Sequence, residues 1–518
     1  MTKQSKSKVM LILIGIMASL LLSSMDSTVV STSMKKIIES IGGMSKYAWP
    51  FTTYVLCSTL AVVICGGLAD IYGHKPLIVS GILIFLTGSA LCGMSQNIMQ
   101  LIIFRGIQGI GGGVIVACVF TIVADLFEPA QRGKYTGIVT SMYGLSSIVG
   151  PLAGGFVTDH FGWRWVFYMN IPLGLIALVL LLYAMPDFHS STQKKEVDYA
   201  GILVITLTLV PMLLSLSMGG NDFAWISLPC IGMFVFSAIM LLVFIIVERK
   251  AANPILPLEF FKDRAISGSF LMAFFSQVLM FGAIMYLPYF MQGIIGATAM
   301  TSGLVTVPMM LGLLVASNII GIIVSRYGKA RFFSALAFVV MALGAYLLST
   351  MNLGTTNLQA VFFMIILGFG IGMSMPIANV NAQNAAPRQQ IGTVTSGVMF
   401  FRNMGGTVGS AILGAIMSNS LSRGFLSLDM QYLPDKVQGL LKNPQIISNA
   451  DTIMGIRNQV PAQYVDYFDK IYLQAKQVLV ISIHDAFLFT VIVAFIGLIC
   501  TVGLREADSL YSSSLDCK

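Results

Sequence analysis

The chain has 518 residues, of which 30 are Lys or Arg and 22 are Asp or Glu, so only 10% are charged while 56% are hydrophobic. Ordinary soluble domains carry about 25% charge, which excludes a multidomain soluble protein, a disordered chain and a disulfide-stapled one. The net charge of +8 sits in short basic patches between apolar runs, the pattern of membrane loops and not of a nucleic-acid-binding surface.

Lys3, Lys6 and Lys8 precede an apolar run that opens at Val9. The run lacks a small-residue cleavage site and continues through Asp26, so it reads as a retained helix and not as a signal peptide. Stretches of about twenty apolar residues, each long enough to span a bilayer, then follow in series. Fourteen are predicted, near 9–34, 46–71, 76–95, 98–126, 133–160, 164–186, 199–218, 224–247, 264–293, 298–325, 330–351, 357–385, 391–420 and 476–504. An even number places both termini on one side. With that side inside, its segments hold 18 Lys and Arg, against 4 in the short outer loops (Lys35, Lys36, Lys46, Arg164). The bias predicts cytoplasmic termini. Between the last two helices, 421–475 reads as a long outer loop punctuated by Pro434, Pro444 and Pro461, either a small cap or a plain linker. The seven cysteines form no CxxC and read as small apolar residues.

An internal repeat appears at an offset of 255 residues. It carries Gly66, Tyr72 and Gly73 onto Gly321, Tyr327 and Gly328, and Thr140, Ser141, Gly150 and Gly154 onto Thr395, Ser396, Gly405 and Gly409. The predicted architecture is therefore an all-α membrane protein with two six-helix halves, 1–190 and 264–518, and a two-helix insert at 191–263, a 6+2+6 layout.

Ionisable residues inside spanning segments are costly and mark function. Asp26 lies eight residues from the outer end of the first helix and Arg105 seven from the outer end of the fourth. At 1.5 Å per residue their depths agree within about 2 Å, which makes them a candidate proton-coupling pair or, alternatively, a static pair that orders the bundle. Arg402 and Asp485, the latter beside His484, form a possible second pair for which a structural role is the simpler reading. The segment Gly66 to Pro76 reads as a tight cytoplasmic turn and gate, with Gly67, Asp70, Gly73 and Lys75 as its functional residues. Asp70 there either caps a facing helix N-terminus or pairs with a base such as Arg132. The fifth helix carries Gly144, Gly150, Pro151, Gly154 and Gly155, a smooth face expected either to seal the two halves together or simply to pack tightly. A substrate cavity is expected to be lined by Gln108, Gln277, Phe281, Tyr286, Asn379, Gln383 and Arg402, since intramembrane polar stripes face cavities. The chain has no P-loop, no HExxH, no nucleophile triad and no His pair at ligand spacing, so neither an enzyme nor a metal, cofactor or ATP requirement is expected.

These segments together resemble the major facilitator superfamily, in particular its fourteen-helix drug:proton antiporter branch. The resemblance rests on Gly67-x-x-Asp70-x-x-Gly73-x-Lys75, Arg105-x-x-Gln108-Gly109, Gly150-Pro151-x-x-Gly154-Gly155, Met25-Asp26-Ser27-Thr28, and Trp163-Arg164-Trp165 through Asn170, Pro172 and Gly174. Glu248-Arg249 with Pro254, Pro257 and Phe260-Phe261 adds to it, and the match covers roughly 9–505. Ile71 and His74 depart from it, standing where the family usually has basic residues. The resemblance implies export of amphiphilic, often cationic small molecules in exchange for protons, by alternating access. It also implies a monomer, driven by the proton gradient without a cofactor, in a bacterial plasma membrane. Export of a lipid, fatty acid or metabolite on the same fold, import of a metabolite, and a non-transporting sensor are the alternatives.

Overall fold

The structure is a computed structural model describing residues 6–42, 46, 49–186, 197–219, 223–251, 253–291, 294, 307–327, 329–426, 428, 438, 450–458, 460 and 464–502. Much of the middle of the loop expected at 421–475 lies outside the described residues, as does the first part of the helix expected at 298–325. Helices account for nearly all of what is described. They are α1 (Lys6–Ile41), α2 (Trp49–Tyr72), α3 (His74–Met94), α4 (Ile98–Leu126), α5 (Pro129–His160), α6 (Trp165–Tyr168), α7 (Asn170–Ala184), α8 (Tyr199–Met218) and α9 (Leu228–Glu248). A short 3-10 turn at Leu258–Phe261 leads into α10 (Arg264–Phe290), α11 (Val307–Tyr327), α12 (Ala330–Ser349), α13 (Asn357–Ala385), α14 (Ile391–Leu426), α15 (Ala450–Arg457) and α16 (Val465–Val502).

Local chemistry sets several of these ends. Gly73 joins α2 to α3 with a φ of 84°, a left-handed backbone that other residues adopt only under strain. Asn97 caps α4 through a 2.9 Å bond from the Gln100 N–H, and Asp198 caps α8 through a 2.8 Å bond from the Gly201 N–H. Thr356 and Gln359 form a reciprocal capping box at the start of α13.

Among the described residues, twelve helical spans, with α6 and α7 taken together, are long and apolar enough to cross a membrane. The expected fourteen are not reached on that criterion. The shortfall is α5 and α14, which have 32 and 36 residues but too many glycines, serines and threonines. Both lie between other helices, and a helix covered by protein needs small side chains more than apolar ones. Other ends also differ from expectation. Helix α1 continues to Ile41, α14 to Leu426, and α16 opens at Val465, so parts of two predicted loops are helical.

Helices α1 to α7 pack among themselves, as do α10 to α14 with α16; α8 packs on α9 and rests against α2 and α14. The two most extensive crossings between the halves are α5 with α11 and α2 with α14. Glycines set both. A Cβ at Gly66 would meet the Ser396 side chain, and one at Gly321 would meet the Gly133 carbonyl. These two glycines are repeat mates, so the sequence offset recurs as two equivalent crossings.

The seam on α5 differs from expectation. Gly137 and Gly144 face Ser317 and Met310 of α11, whereas Gly150 and Gly154 face Thr28 and Val29 of α1 within the same half. The Gly-Pro segment of α5 thus seats α1 and does not seal the halves. Gly155 has open space where a side chain would go. Gly155→Ala should therefore raise stability by about 0.5–1 kcal/mol through helix propensity. Gly154→Ala should lower it by about 1–3 kcal/mol through overpacking. Thermal unfolding of the purified variants checks both signs.

Candidate functional site

The deepest polar cluster forms around Asp26, which is 1% exposed, and Arg105, which is fully buried. Arg105 Nη1 donates to Asp26 Oδ2 at 2.5 Å. Gln108 Nε2 and Asn170 Nδ2 donate to the other carboxylate oxygen at 2.7 and 3.0 Å. Arg105 Nη1 also donates to Gln108 Oε1 at 2.8 Å, which closes a ring of three side chains. Asn170 donates further to the Ser89 hydroxyl at 3.0 Å, and Ser89 donates to the Phe167 carbonyl at 2.8 Å. The Arg105 guanidinium lies 4.2 Å from the centre of the Tyr54 ring, a cation–π contact. Three donors converge on one carboxylate, which is the arrangement an ionised, acceptor-only group requires.

Small residues let five helices meet at this depth. Side chains on α4 at Gly109 or Gly112 would strike Tyr54, and one on α3 at Gly88 would strike the Gln108 backbone. The spacing of Gly106, Gly109 and Gly113 presents a flat face of α4 to α2, where a Cβ at Gly113 would meet the Ser58 carbonyl.

Beside this cluster a cavity of about 390 Å³ lies between the halves. Its wall includes Ser23, Ser27, Tyr54, Tyr143, Gln277, Phe281 and Asn403. Of the seven residues expected to line a substrate cavity, Gln277 and Phe281 line this one. Gln108 serves Asp26 instead. Gln383 Nε2 spans to the Phe120 carbonyl at 3.2 Å and to Thr395 Oγ1 at 3.1 Å, so it braces the halves. Asn379 donates to the Met375 carbonyl one turn back, and Tyr286 and Arg402 are buried. These five do not line this cavity; polarity alone does not distinguish a wall from a brace.

At the α2–α3 end the halves are latched. Asp70 Oδ1 accepts the Gly392 N–H at 3.0 Å, while Oδ2 accepts the Thr393 N–H at 2.9 Å and its hydroxyl at 2.6 Å. A carboxylate at a helix N-terminus gains from exposed N–H groups and the helix dipole. Arg132 donates to the Ala124 and Phe127 carbonyls and, across the seam, to Asn384 at 3.2 Å. His74 Nε2 lies 2.9 Å from Asp125 Oδ2. A Cβ at Gly67 would lie at ordinary contact distance from the Ile255 backbone.

The Arg402–Asp485 pair does not form. Asp485 accepts from Ser420 at 2.6 Å, and His484 Nδ1 lies 2.5 Å from the Ser349 carbonyl. Ser420 is eighteen residues beyond Arg402 on α14, about 27 Å along the helix. Among the described residues no cluster of three or more His, Cys, Asp or Glu forms a metal site. Asn170, Tyr54 and Thr393 complete the clusters without having been singled out for them. Asn170 was visible as an amide opening a span; Tyr54 and Thr393 carried no distinguishing pattern.

Loss of the latch should open the α2–α3 end. In a cysteine-free background, Ser396→Cys, buried against Gly66, should react slowly with a hydrophilic thiol reagent. Adding Asp70→Ala should speed labelling about tenfold or more, the equivalent of one charged hydrogen bond.

Comparison with known proteins agrees with this architecture. The sequence model of the Major Facilitator Superfamily matches residues 16–410. The chain is 38% identical to the multidrug transporter protein MdtP of Bacillus subtilis, over 98% of this chain and 95% of that one. It is 33% identical to multidrug resistance protein 3 of the same organism, over 96% of each. The human organic anion transporter MFSD10 shares the fold at a TM-score of 0.58 and 13% identity, over 90% of this chain and 99% of that one. The proton:xylose symporter XylE does so at 0.58 and 15%, over 85% and 93%. The chain belongs to the major facilitator superfamily, as a multi-pass membrane protein.

Proposed function

We propose that the protein exports amphiphilic, often cationic small molecules across the plasma membrane in exchange for protons, by alternating access. The observation that carries this reading is one arrangement: a buried carboxylate held by an arginine, next to a cavity between two halves that Asp70 latches together at the α2–α3 end. The relatives named as multidrug transporters support the substrate class. The Lys and Arg bias supports placing the latch and both termini on the cytoplasmic side. In this reading α5 and α14 also cross the membrane, giving fourteen spans, and the protein works as a monomer without a cofactor.

The chemistry follows from the cluster. As a carboxylate, Asp26 neutralises Arg105 and accepts all three donors. Protonation from the outer side removes the charge and turns one oxygen into a donor, so the Gln108 and Asn170 bonds must rearrange. Opposite charges in a low-dielectric interior interact strongly, so adding or removing one proton there biases which arrangement of the halves is favoured. Release of the proton inward would follow when the Asp70 latch opens. A cationic substrate competes for the same carboxylate, which couples the two fluxes.

Dye transport into inverted vesicles under an imposed pH gradient tests this. Asp26→Asn keeps the shape of the site but cannot ionise, and gradient-driven transport should fall about tenfold or more while the protein remains folded. Full proton coupling in Asp26→Asn would sink the assignment. Arg105→Ala leaves Asp26 buried without its counter-charge, a loss of about 3–5 kcal/mol. It should abolish coupling and lower thermal stability; unaltered transport in that variant would show that the pair has no role.

A further inference from the structure

Arg402 is one of three buried arginines among the described residues, with Arg105 and Arg132, and is 5% exposed about a third of the way along α14. Among the described residues its only hydrogen bond is a 3.5 Å approach of Nη1 to the Met399 sulfur, a weak acceptor. Its Nε and Nη2 are buried without a hydrogen-bond partner among the described residues. No carboxylate there forms an ion pair with it, since the acid nearest in expectation, Asp485, is held by Ser420 far along the helix. A guanidinium cannot shed its proton, and an uncompensated charge in a protein interior costs several kcal/mol. Arg105 shows how the fold answers that cost elsewhere, with a carboxylate and a Gln on one Nη. Arg105's own Nε and Nη2 also lack partners, but Asp26 meets its charge; among the described residues no acid meets that of Arg402.

Its surroundings show where the missing anion fits. The adjacent Asn403 lines the central cavity, as does Tyr143, which lies within electrostatic reach of Arg402. Gln277, another wall residue, packs on Gly406, one turn further along α14. Phe281 lies beside Gln277 against Gly406, and Phe51 and Val55 of α2 add apolar wall. Turning the guanidinium toward the cavity breaks only the thioether contact. We propose that Arg402 is the binding site for the acidic head of an amphiphile, a carboxylate taken bidentately by the free Nε and Nη2 edge, with its chain against the aromatic wall. This rests on the export reading and adds to it: the substrate range includes anionic amphiphiles, and their recognition belongs to the C-terminal half, apart from Asp26.

The test compares three ligands of equal chain length, decanoate, decanol and decyltrimethylammonium, each titrated below its micelle-forming concentration into purified full-length protein. Wild type should bind decanoate about tenfold or more tightly than decanol, the worth of one charge-assisted hydrogen bond. Arg402→Met and Arg402→Gln should remove that preference and leave decyltrimethylammonium binding unchanged. Equal binding of decanoate and decanol by wild type overturns the proposal without using any variant. So does a decanoate affinity unaltered in a folded Arg402 variant. If wild type binds decyltrimethylammonium but not decanoate, the proposal fails while the export reading stands. If it binds neither, both fail.

Discussion

The constraint on which the rest of the N-terminal half depends is the cost of burying Asp26 and Arg105 together. In the interior there is no water to share their hydrogen bonds, so each lone pair of the carboxylate needs a protein donor at the right place. Those donors come from Arg105 and Gln108 on α4 and from Asn170 at the start of α7, with Ser89 on α3 holding Asn170 in turn. Tyr54 on α2 covers the guanidinium face. Five helices must therefore converge at one depth. They can do so only because α4 is nearly bare on two sides, where Gly109 and Gly113 admit the α2 backbone and Gly111 admits that of α3 at Phe85. The glycines that look like generic membrane packing are the geometric condition for the ion pair.

This dependence also explains what was legible in the sequence. Counting residues from helix ends put Asp26 and Arg105 at one depth, and the structure has them in contact. The count worked because both helices start near the same surface and belong to one half. The same kind of argument failed for Arg402 and Asp485. Helix α16 opens at Val465, not 476, so Asp485 is twenty residues into its helix and meets α14 at Ser420. Element type was readable from apolar length. The ends of α1, α14 and α16 were not, because the helix continues past the apolar run wherever local hydrogen bonding and packing sustain it.

Two helices were readable for the wrong reason and misjudged in part. The glycines of α5 looked like one seam but are two, Gly137 and Gly144 facing α11 and Gly150 and Gly154 facing α1. A helix wedged between two partners needs small residues on more than one face, and a linear string of glycines does not say which face meets which neighbour. Asp70 was legible as a capping acid at the end of α2, yet Thr393, which supplies two of its three bonds, sits in a run of Gly, Thr and Val that advertises nothing. A latch has a charged side visible in sequence and a backbone side that is not.

The two halves end up electrostatically unequal, although a repeat built them. In the first, positive and negative charges cancel within a closed ring, so the ring reports on protonation and little else. In the second, Arg402 remains uncancelled, and its donors stay available. On the export reading, a symmetric scaffold with one paired and one unpaired charge divides the work: the pair would change state when a proton arrives, and the unpaired cation when an anion arrives. Both lie next to residues that bound one cavity, Arg105 by Tyr54 and Arg402 by Tyr143, so each event would alter the field felt by the other. Coupling between proton and cargo then requires no direct contact, only a shared low-dielectric space in which a charge added on one side is felt on the other.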